Sequence, residues 1–251
     1  MAKEEYNFSN HPNFNTRHHD LDPNQKGLLK ITAAYKKKKE AGDRFEKQIS
    51  DMMQSAFNGN GDILLNNVYF ETGNFVSEIH LYESLQLDHI LISKEGIFCI
   101  EDKWLDDNKY VRISGNALAK TWTVKSKNGK NNKETNGLKQ NFFHKDYLEK
   151  LLSYNKMPVP VFQITVVGGI SREKINVQQF IDANLVDCNE LIDRIKYIKK
   201  RNAGNDIDVG KVRELLEQWT CKDPAVEKQH IVYVRHITDL KLPKRCKKLL
   251  R

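Results

Sequence analysis

The chain has 251 residues and a formal net charge of +8, with 39% hydrophobic and 29% charged residues. This composition is typical of a globular protein long enough to bury a sizeable core. Four cysteines without a Cys-x-x-Cys pair argue against a disulfide scaffold and a zinc ribbon. No apolar run resembles a membrane span or a signal peptide, so we expect a cytoplasmic protein that does not engage a membrane.

Basic residues are concentrated in three stretches of the chain. Residues 36–39 are four consecutive lysines, residues 120–150 carry eight lysines against three acids, and no acid follows Asp239 while six basic residues do. Any one stretch fits a solvated surface equally well. Three stretches in one chain favour a nucleic-acid partner.

The N-terminal part predicts a polar arm followed by a long helix. Residues 1–27 are rich in Asn and lack periodicity, which predicts a disordered arm; its His18-His19-Asp20 run is interpreted as surface rather than a metal site. A helix is predicted over 28–57, with Phe45 and Ile49 in its apolar stripe. Glu46 lies in the same stripe. Its carboxylate either reaches water at the edge of the core or needs a partner.

Short β-type runs then predict an antiparallel or mixed sheet, at residues 63–70, 75–81, 85–93, 97–103, 110–113 and 118–124. Residues 125–135 have no apolar member and predict a loop. Helical spacing returns over 138–152. Residues 159–167 are β-branched and almost wholly apolar, which predicts a buried central strand.

The remainder predicts helices at 189–200 and 209–219 and a strand at 231–234. No repeat or long Pro/Gly linker divides the chain. We therefore expect one α/β fold with a mixed central sheet, flanking helices and a helical C-terminal extension. The expected organisation is an arm (1–27), a core (28–170) and a helical C-terminal part (171–251) packed on the same domain.

Asp88, Glu101 and Lys103 are predicted to meet on two neighbouring strands. Side chains alternate faces along a strand, so Glu101 and Lys103 share one face and Asp102 points to the other. If Glu95-Gly96 forms a two-residue turn, Asp88 lies directly opposite Lys103 with Glu101 diagonal to it. The three polar side chains would then converge on one patch.

Two carboxylates in apolar strands repel each other and lose hydration, and a divalent cation removes that conflict. Oxygen ligands suit Mg²⁺ or Mn²⁺, and the Lys103 ammonium could assist phosphate chemistry beside them. The alternative is a buried carboxylate–lysine ion pair without chemistry.

These residues resemble the nuclease-related domain (NERD) family of the restriction-endonuclease-like PD-(D/E)XK superfamily. The resemblance rests on the run from Gln86 to Ser93, Gln-Leu-Asp-His-Ile-Leu-Ile-Ser, and on the run from Gly96 to Lys103, Gly-Ile-Phe-Cys-Ile-Glu-Asp-Lys. Gly42 with Glu46, the segment 136–141 and the strand over 159–167 extend it to about residues 40–170. In the segment 136–141, Gly137 replaces the proline usual in that family.

The resemblance implies a restriction-endonuclease-like fold and specific roles. Asp88 and Glu101 would bind the metal with the backbone carbonyl of Asp102, and Lys103 would assist the attacking water. Glu46 would be an extra ligand or hold a water, and Gln140 would contact water or a phosphate. His89 faces away from Asp88, which favours a structural hydrogen bond over general-base work.

The implied activity is Mg²⁺- or Mn²⁺-dependent hydrolysis of DNA phosphodiester bonds, in a defence or mobile-element context, with RNA as an alternative substrate. A backbone clamp is expected from Trp122 and the surrounding lysines, namely Lys120, Lys125, Lys127, Lys130, Lys133 and Lys139. The alternative function is a nucleic-acid-binding module that does not cut, as the partner of a helicase or another defence component.

Overall fold

The computed structural model describes residues 6–10, 33–178 and 184–241. Within them the fold is mixed α/β as predicted, with two mixed sheets, flanking helices and three helices toward the C-terminus. The strands are β1 (Ile63–Val76), β2 (Leu81–Ser93), β3 (Gly96–Trp104), β4 (Tyr110–Asn116), β5 (Thr121–Ser126), β6 (Asn131–Thr135), β7 (Val161–Gly168), β8 (Ile175–Gln178) and β9 (Asn184–Asp187). The helices are α1 (Ala33–Phe57), α2 (Gly137–Tyr154), α3 (Leu191–Arg201), α4 (Val209–Trp219) and α5 (Val226–Lys241).

Several predictions fall outside the described residues. They concern nearly all of the N-terminal arm, including His18-His19-Asp20, the first five residues of the helix predicted over 28–57, and most of the basic run after Asp239. Within the described helices, none is both long and apolar enough to cross a membrane.

The described residues form two compact units. One contains residues 69–86 and 218–241 together with the short N-terminal segment 6–10. In it, Glu83 accepts a hydrogen bond from the Tyr233 hydroxyl at 2.5 Å, and the backbone N–H of Asn7 donates to the Thr72 carbonyl at 2.8 Å. The other unit contains residues 36–68 and 87–217, and all the candidate site residues within the described chain belong to it.

The five-stranded sheet has the order β1-β2-β3-β7-β9, and the larger unit contains all of β3, β7 and β9 together with residues 63–68 of β1 and 87–93 of β2. β3 lies at its centre, antiparallel to β2 and parallel to β7. The apolar stripe of α1 packs against one face, where Phe45, Ile49 and Met53 share a buried cluster with Phe98 and Ile100. This stripe confirms the helical spacing predicted from the sequence.

α2 covers the opposite face of the same sheet. Asn136 caps the helix by accepting a hydrogen bond from the backbone N–H of Lys139 at 3.2 Å. Asn141 then fixes the helix to two strands, because its side-chain N–H group donates to the carbonyls of Cys99 at 3.2 Å and Ile164 at 2.8 Å. β3 is therefore enclosed between two helices at its centre.

The second sheet has the order β6-β5-β4-β8 and changes one prediction. The loop predicted over 125–135 is wrong, since these residues complete β5 and form β6 in an antiparallel hairpin. The inner face of this sheet buries Ile113, Trp122 and Val124. β6 is an edge strand with largely exposed side chains, so it needs no apolar residues and gave no apolar signal.

Two further strand predictions are wrong. The run 75–81 contains the turn 77–80 between β1 and β2, with His80 at a positive φ of 50°. The run 231–234 is helical and lies within α5, where Val232 and Tyr233 are buried beside Ile79 and Leu81. Four apolar residues in succession do not distinguish a strand from a buried helical turn. β8 and β9 had no prediction, because four-residue strands give too little periodicity.

Candidate functional site

The β2–β3 hairpin sets the register of the candidate site, and it corrects the predicted turn. Ser93 pairs with Gly96 and His89 pairs with Ile100, so the turn residues are Lys94 and Glu95 rather than Glu95 and Gly96. The observed strand pairing differs from the predicted pairing by two residues. Because side chains alternate with a period of two, every side chain stays on its predicted face. In this register Asp88 aligns with Glu101, and the prediction that it lies directly opposite Lys103 is wrong.

The physical reason for this register lies in Gly96 and Ser93. Gly96 begins β3 where an added Cβ would lie 2.9 Å from the Pro160 carbonyl oxygen and 2.5 Å from the Phe162 ring. Its close approach to Pro160 and Phe162 at the start of β7 requires a glycine at this position of the strand. The Ser93 hydroxyl meanwhile donates to the Glu95 carboxylate at 3.0 Å across the turn.

The structure brings Asp88, Glu101 and Lys103 together on the face that α2 covers. Glu101 is fully buried, and one of its carboxylate oxygens, Oε1, accepts a short hydrogen bond from Lys103 Nζ. Asp88 Oδ2 accepts a hydrogen bond from the backbone N–H of Asp102 at 2.8 Å, which holds this carboxylate at the end of β3. Lys103 is therefore paired with Glu101, and its charge acts on Asp88 through space.

The protonation equilibria reflect this shortage of positive charge. Burial raises the pKa of Asp88 well above its usual value, and the charge of Glu101 raises it further. Burial also acts to raise the pKa of Glu101, but Lys103 and His144 outweigh it and the net pKa is lowered. Burial acts to lower the pKa of Lys103, and the negative charges of Glu101 and Asp88 outweigh it, so the net pKa is raised. Glu101 and Lys103 are thus ionised, whereas Asp88 forms no ion pair with a described residue.

His89 and Asp102 face the opposite side of the sheet, toward α1. His89 is fully buried, with Nδ1 2.7 Å from Asn66 Oδ1 and Nε2 2.9 Å from Asp102 Oδ2. Burial lowers the pKa of His89 to about 4, so the ring is neutral near pH 7. The ring bridges β2 and β3, in the orientation that strand alternation predicted for this residue.

Glu46 projects from α1 on this second side. It is partly buried, and burial raises the pKa of its carboxyl group against the lowering effect of His89. The charge of Glu101 also contributes to raising it, so the two carboxylates lie within electrostatic range of each other. Its role as an extra ligand or as a holder of water stays a prediction.

His144 is a site residue to which the sequence assigned no role. It lies on α2, is 3% exposed, and its Nδ1 is 3.3 Å from Glu101 Oε2, outside hydrogen-bond geometry. Glu101 Oε2 consequently has no hydrogen-bond partner among the described residues. The spacing Asn141–His144, with both residues on the inner face of α2, was the available signal.

Gly137 allows Lys103 to reach this position. A Cβ at Gly137 would lie 2.8 Å from Lys103 Cγ and 2.9 Å from Thr165 Cγ2. A proline at this position would place a whole ring in that space. The departure at Gly137 is therefore tied to the path of the lysine side chain.

The remaining predicted site residues are distributed differently. Gln140 is partly buried on the first turn of α2. Its side-chain amide has no hydrogen bond to another described residue. Trp122 is fully buried in the inner core of the second sheet, so its prediction as part of a nucleic-acid clamp is wrong. Lys139 is partly buried, with Nζ 5.8 Å from the centre of the Phe143 ring. The other predicted clamp lysines are exposed, namely Lys120, Lys125, Lys127, Lys130 and Lys133.

The donor atoms at this site are carboxylate oxygens, the kind of ligand that Mg²⁺ and Mn²⁺ take in proteins. Among the described residues, no group of three or more His, Cys, Asp or Glu side chains is arranged to hold a metal ion. Mg²⁺ usually takes one or two carboxylates and retains several waters. Asp88 and Glu101 supply carboxylate oxygens of this kind, and Oε2 of Glu101 is buried without a hydrogen bond to a described residue.

Comparison with known proteins gives one family. The model of the nuclease-related domain (NERD) matches residues 41–168, just over half of the chain, and it spans α1 from residue 41 through β7. Neither the curated proteins nor the solved structures gave a match. The matched range contains Asp88, Glu101 and Lys103 and agrees with the resemblance found in the sequence. The chain belongs to the nuclease-related domain family.

Proposed function

We propose that the protein is a divalent-metal-dependent nuclease that hydrolyses DNA phosphodiester bonds. The single observation that carries the proposal is the charge imbalance on the α2 side of β3. Among the described residues Lys103 forms an ion pair with Glu101 and none with Asp88, whose carboxyl group lies in the field of Glu101, and Glu101 Oε2 has no hydrogen bond. A purely structural ion pair needs one carboxylate and leaves no such surplus.

Asp88, Glu101 and the backbone carbonyl of Asp102 would hold Mg²⁺ or Mn²⁺, which supplies Lewis-acid polarisation of a phosphate and lowers the pKa of a water. The ammonium of Lys103 remains charged and is oriented by Glu101, so it can stabilise negative charge that develops on a phosphate oxygen. His144 of α2 lies beside Glu101, with Nδ1 3.3 Å from Oε2, and Asn141 holds α2 on β3 and β7 through the carbonyls of Cys99 and Ile164. His89 holds the side chain of Asp102 from the other face.

A cleavage assay tests the proposal. Purified protein should nick or degrade plasmid or linear DNA in Mg²⁺ or Mn²⁺ and should be inactive in EDTA. Asp88→Asn and Lys103→Met should each lower the rate by at least about 10²-fold, because the first removes a carboxylate that would hold the metal and the second removes the positive charge that would stabilise the reacting phosphate. Matched RNA and DNA digested side by side identify the substrate.

Asp146→Asn and Lys150→Met are the control variants, since these residues form an ion pair with each other on the outer surface of α2 at 2.7 Å. They change the same charges and should keep the wild-type rate. Wild-type cleavage by folded Lys103→Met protein would contradict the proposal. DNA binding that ignores EDTA, with no cleavage in either metal, would favour the non-cutting module instead.

A further inference from the structure

The outward face of the second sheet carries basic side chains from three adjacent strands. Trp122 and Val124 of β5 point into the core, so Thr121, Thr123 and Lys125 point outward by alternation. The register pairs Arg112 of β4 with Lys125 and pairs Lys133 of β6 with Thr123. Arg112, Lys125 and Lys133 therefore lie on one open face and are all exposed.

These three cations are close to one another. Directly paired residues have Cβ atoms about 5 Å apart and diagonal neighbours about 7–8 Å apart, which places Arg112 and Lys133 on either side of Lys125. Charges separated by about the Debye length or less, about 8 Å in physiological salt, are only partly screened, so neighbouring cations on this face repel each other. Like charges directly opposed across strands destabilise a sheet.

No described carboxylate relieves this repulsion. Neither Arg112 nor Lys125 forms an ion pair with a described residue, and Lys133 Nζ donates to the Thr123 hydroxyl at 2.6 Å. The one acid of the β5–β6 hairpin, Glu134, pairs with Trp122 and so belongs to the inner face. There it accepts from Lys38 Nζ at 2.7 Å and from the Tyr110 hydroxyl at 3.0 Å.

The sheet is also joined directly to the candidate site. β4 begins at Tyr110, shortly after β3 ends at Trp104, and β6 ends at Thr135, beside the Asn136 cap of α2. The next residue, Gly137, packs on Lys103. A polyanion bound to the outer face is thus held by β4 and β6. These strands are connected along the chain to β3, which carries Lys103, and to α2, which begins at Gly137.

We propose that this face docks the sugar-phosphate backbone of the nucleic acid, with Arg112, Lys125 and Lys133 as phosphate contacts and Thr121 and Thr123 as hydroxyl partners. This inference rests on the proposed function and names the docking surface of its substrate. Contacts of this kind are sequence-independent and release counterions. Arg112 lies outside the basic stretches seen in the sequence and joins the surface only through strand pairing.

The test measures binding to a duplex DNA in EDTA, where cleavage plays no part. The triple variant Arg112→Gln, Lys125→Gln, Lys133→Gln should bind at least about tenfold more weakly than wild type in low salt. The slope of log affinity against log salt concentration should become shallower by about 0.9 for each lost contact. Its melting temperature should be unchanged or higher, since the variant removes mutual repulsion.

The control triple Lys47→Gln, Lys145→Gln, Arg213→Gln loses the same charge from helix surfaces, where each residue is paired with a carboxylate. It should keep the wild-type slope. An equal loss in both triples, a wild-type slope in the first triple, or no DNA binding by the wild type would overturn the inference. Parallel arms with single-stranded DNA and RNA identify the source of the phosphodiester.

The outcome is separable from that of the proposed function. A protein that cuts DNA but binds equally well without the three cations would keep its activity assignment and lose this surface. A protein that never cuts, yet loses binding in the first triple alone, would keep the surface and lose the nuclease assignment.

Discussion

His89 and Asp102 are the polar pair that β2 and β3 turn toward α1, and their ionisation depends on burial. The ring of His89 titrates near pH 4 in the folded chain because its charged form is desolvated, whereas an unfolded histidine titrates near 6.5. Between these values the unfolded chain binds more protons. The stability due to neutral His89 is therefore complete above pH 6.5 and is lost as the pH falls toward 4.

The lower pKa of His89 in the folded chain predicts a measurable loss of stability at acidic pH in the metal-free protein. Between pH 7 and pH 5, wild type should lose about 2 kcal/mol more unfolding free energy than His89→Gln, whose amide can still hydrogen bond but does not titrate. Urea denaturation at the two pH values measures the difference. Equal pH dependence in both proteins would mean that His89 is not buried in its neutral form.

At the scale of elements, the start of α2 is fitted to the lysine of β3. Gly137 leaves the space in which Lys103 Cγ and Thr165 Cγ2 pack, and Asn136 caps the helix immediately before it. Helix geometry and lysine position are consequently coupled at one residue. A methyl group there must displace the lysine, the threonine or the helix itself.

We expect Gly137→Ala to lower the cleavage rate by about 10²-fold, because a displacement of about 1 Å at a reacting group has that effect. Gly210→Ala is the matched control, since its Cβ would meet only Asp208 Oδ1 at 3.5 Å in the first turn of α4. Rates are measured under the conditions of the plasmid assay. Equal rates for the two variants would show that Gly137 is not needed to position Lys103.

Elements with strong periodicity were predictable, and their placement was not. The apolar stripe of α1 predicted a helix, and the apolar runs of β2, β3 and β7 predicted strands, because burial imposes a repeat on the sequence. The convergence of Asp88 with Glu101 was predicted from alternation and an assumed hairpin turn, and an error of two residues in that turn leaves both side chains on the same face. His144 and Arg112 depend on packing and pairing between distant segments, which leave no local pattern.

At the scale of the whole chain, one ion cluster within the larger unit joins three distant segments. Lys199 Nζ on α3 lies 2.6 Å from Asp62, next to β1, and 3.4 Å from Glu95 in the β2–β3 turn. The side chains of Asp62 and Glu95 are only 3% and 7% exposed. Asn205 adds a hydrogen bond to the Glu95 carbonyl at 2.9 Å.

Lys199→Met should destabilise the protein by about 3–5 kcal/mol, since it leaves two buried carboxylates without a cation. Lys47→Met is the control, because Lys47 and its partner Asp51 are exposed on α1 and such pairs contribute at most about 1 kcal/mol. Chemical denaturation of both variants at pH 7 measures the two losses. Losses of equal size would show that the cluster is not desolvated.

The positions of Glu101 and Asp102 restrict how β3 can change in length. These consecutive residues serve opposite sides of the sheet, one beside Lys103 and one beside His89. Inserting or deleting a single residue upstream of them within the strand would exchange the two sides and place each carboxylate among the other's neighbours. Only length changes of an even number of residues preserve both environments. We therefore expect the protein to tolerate single-residue insertions and deletions far less well in β3 than at the 127–130 tip of the β5–β6 hairpin.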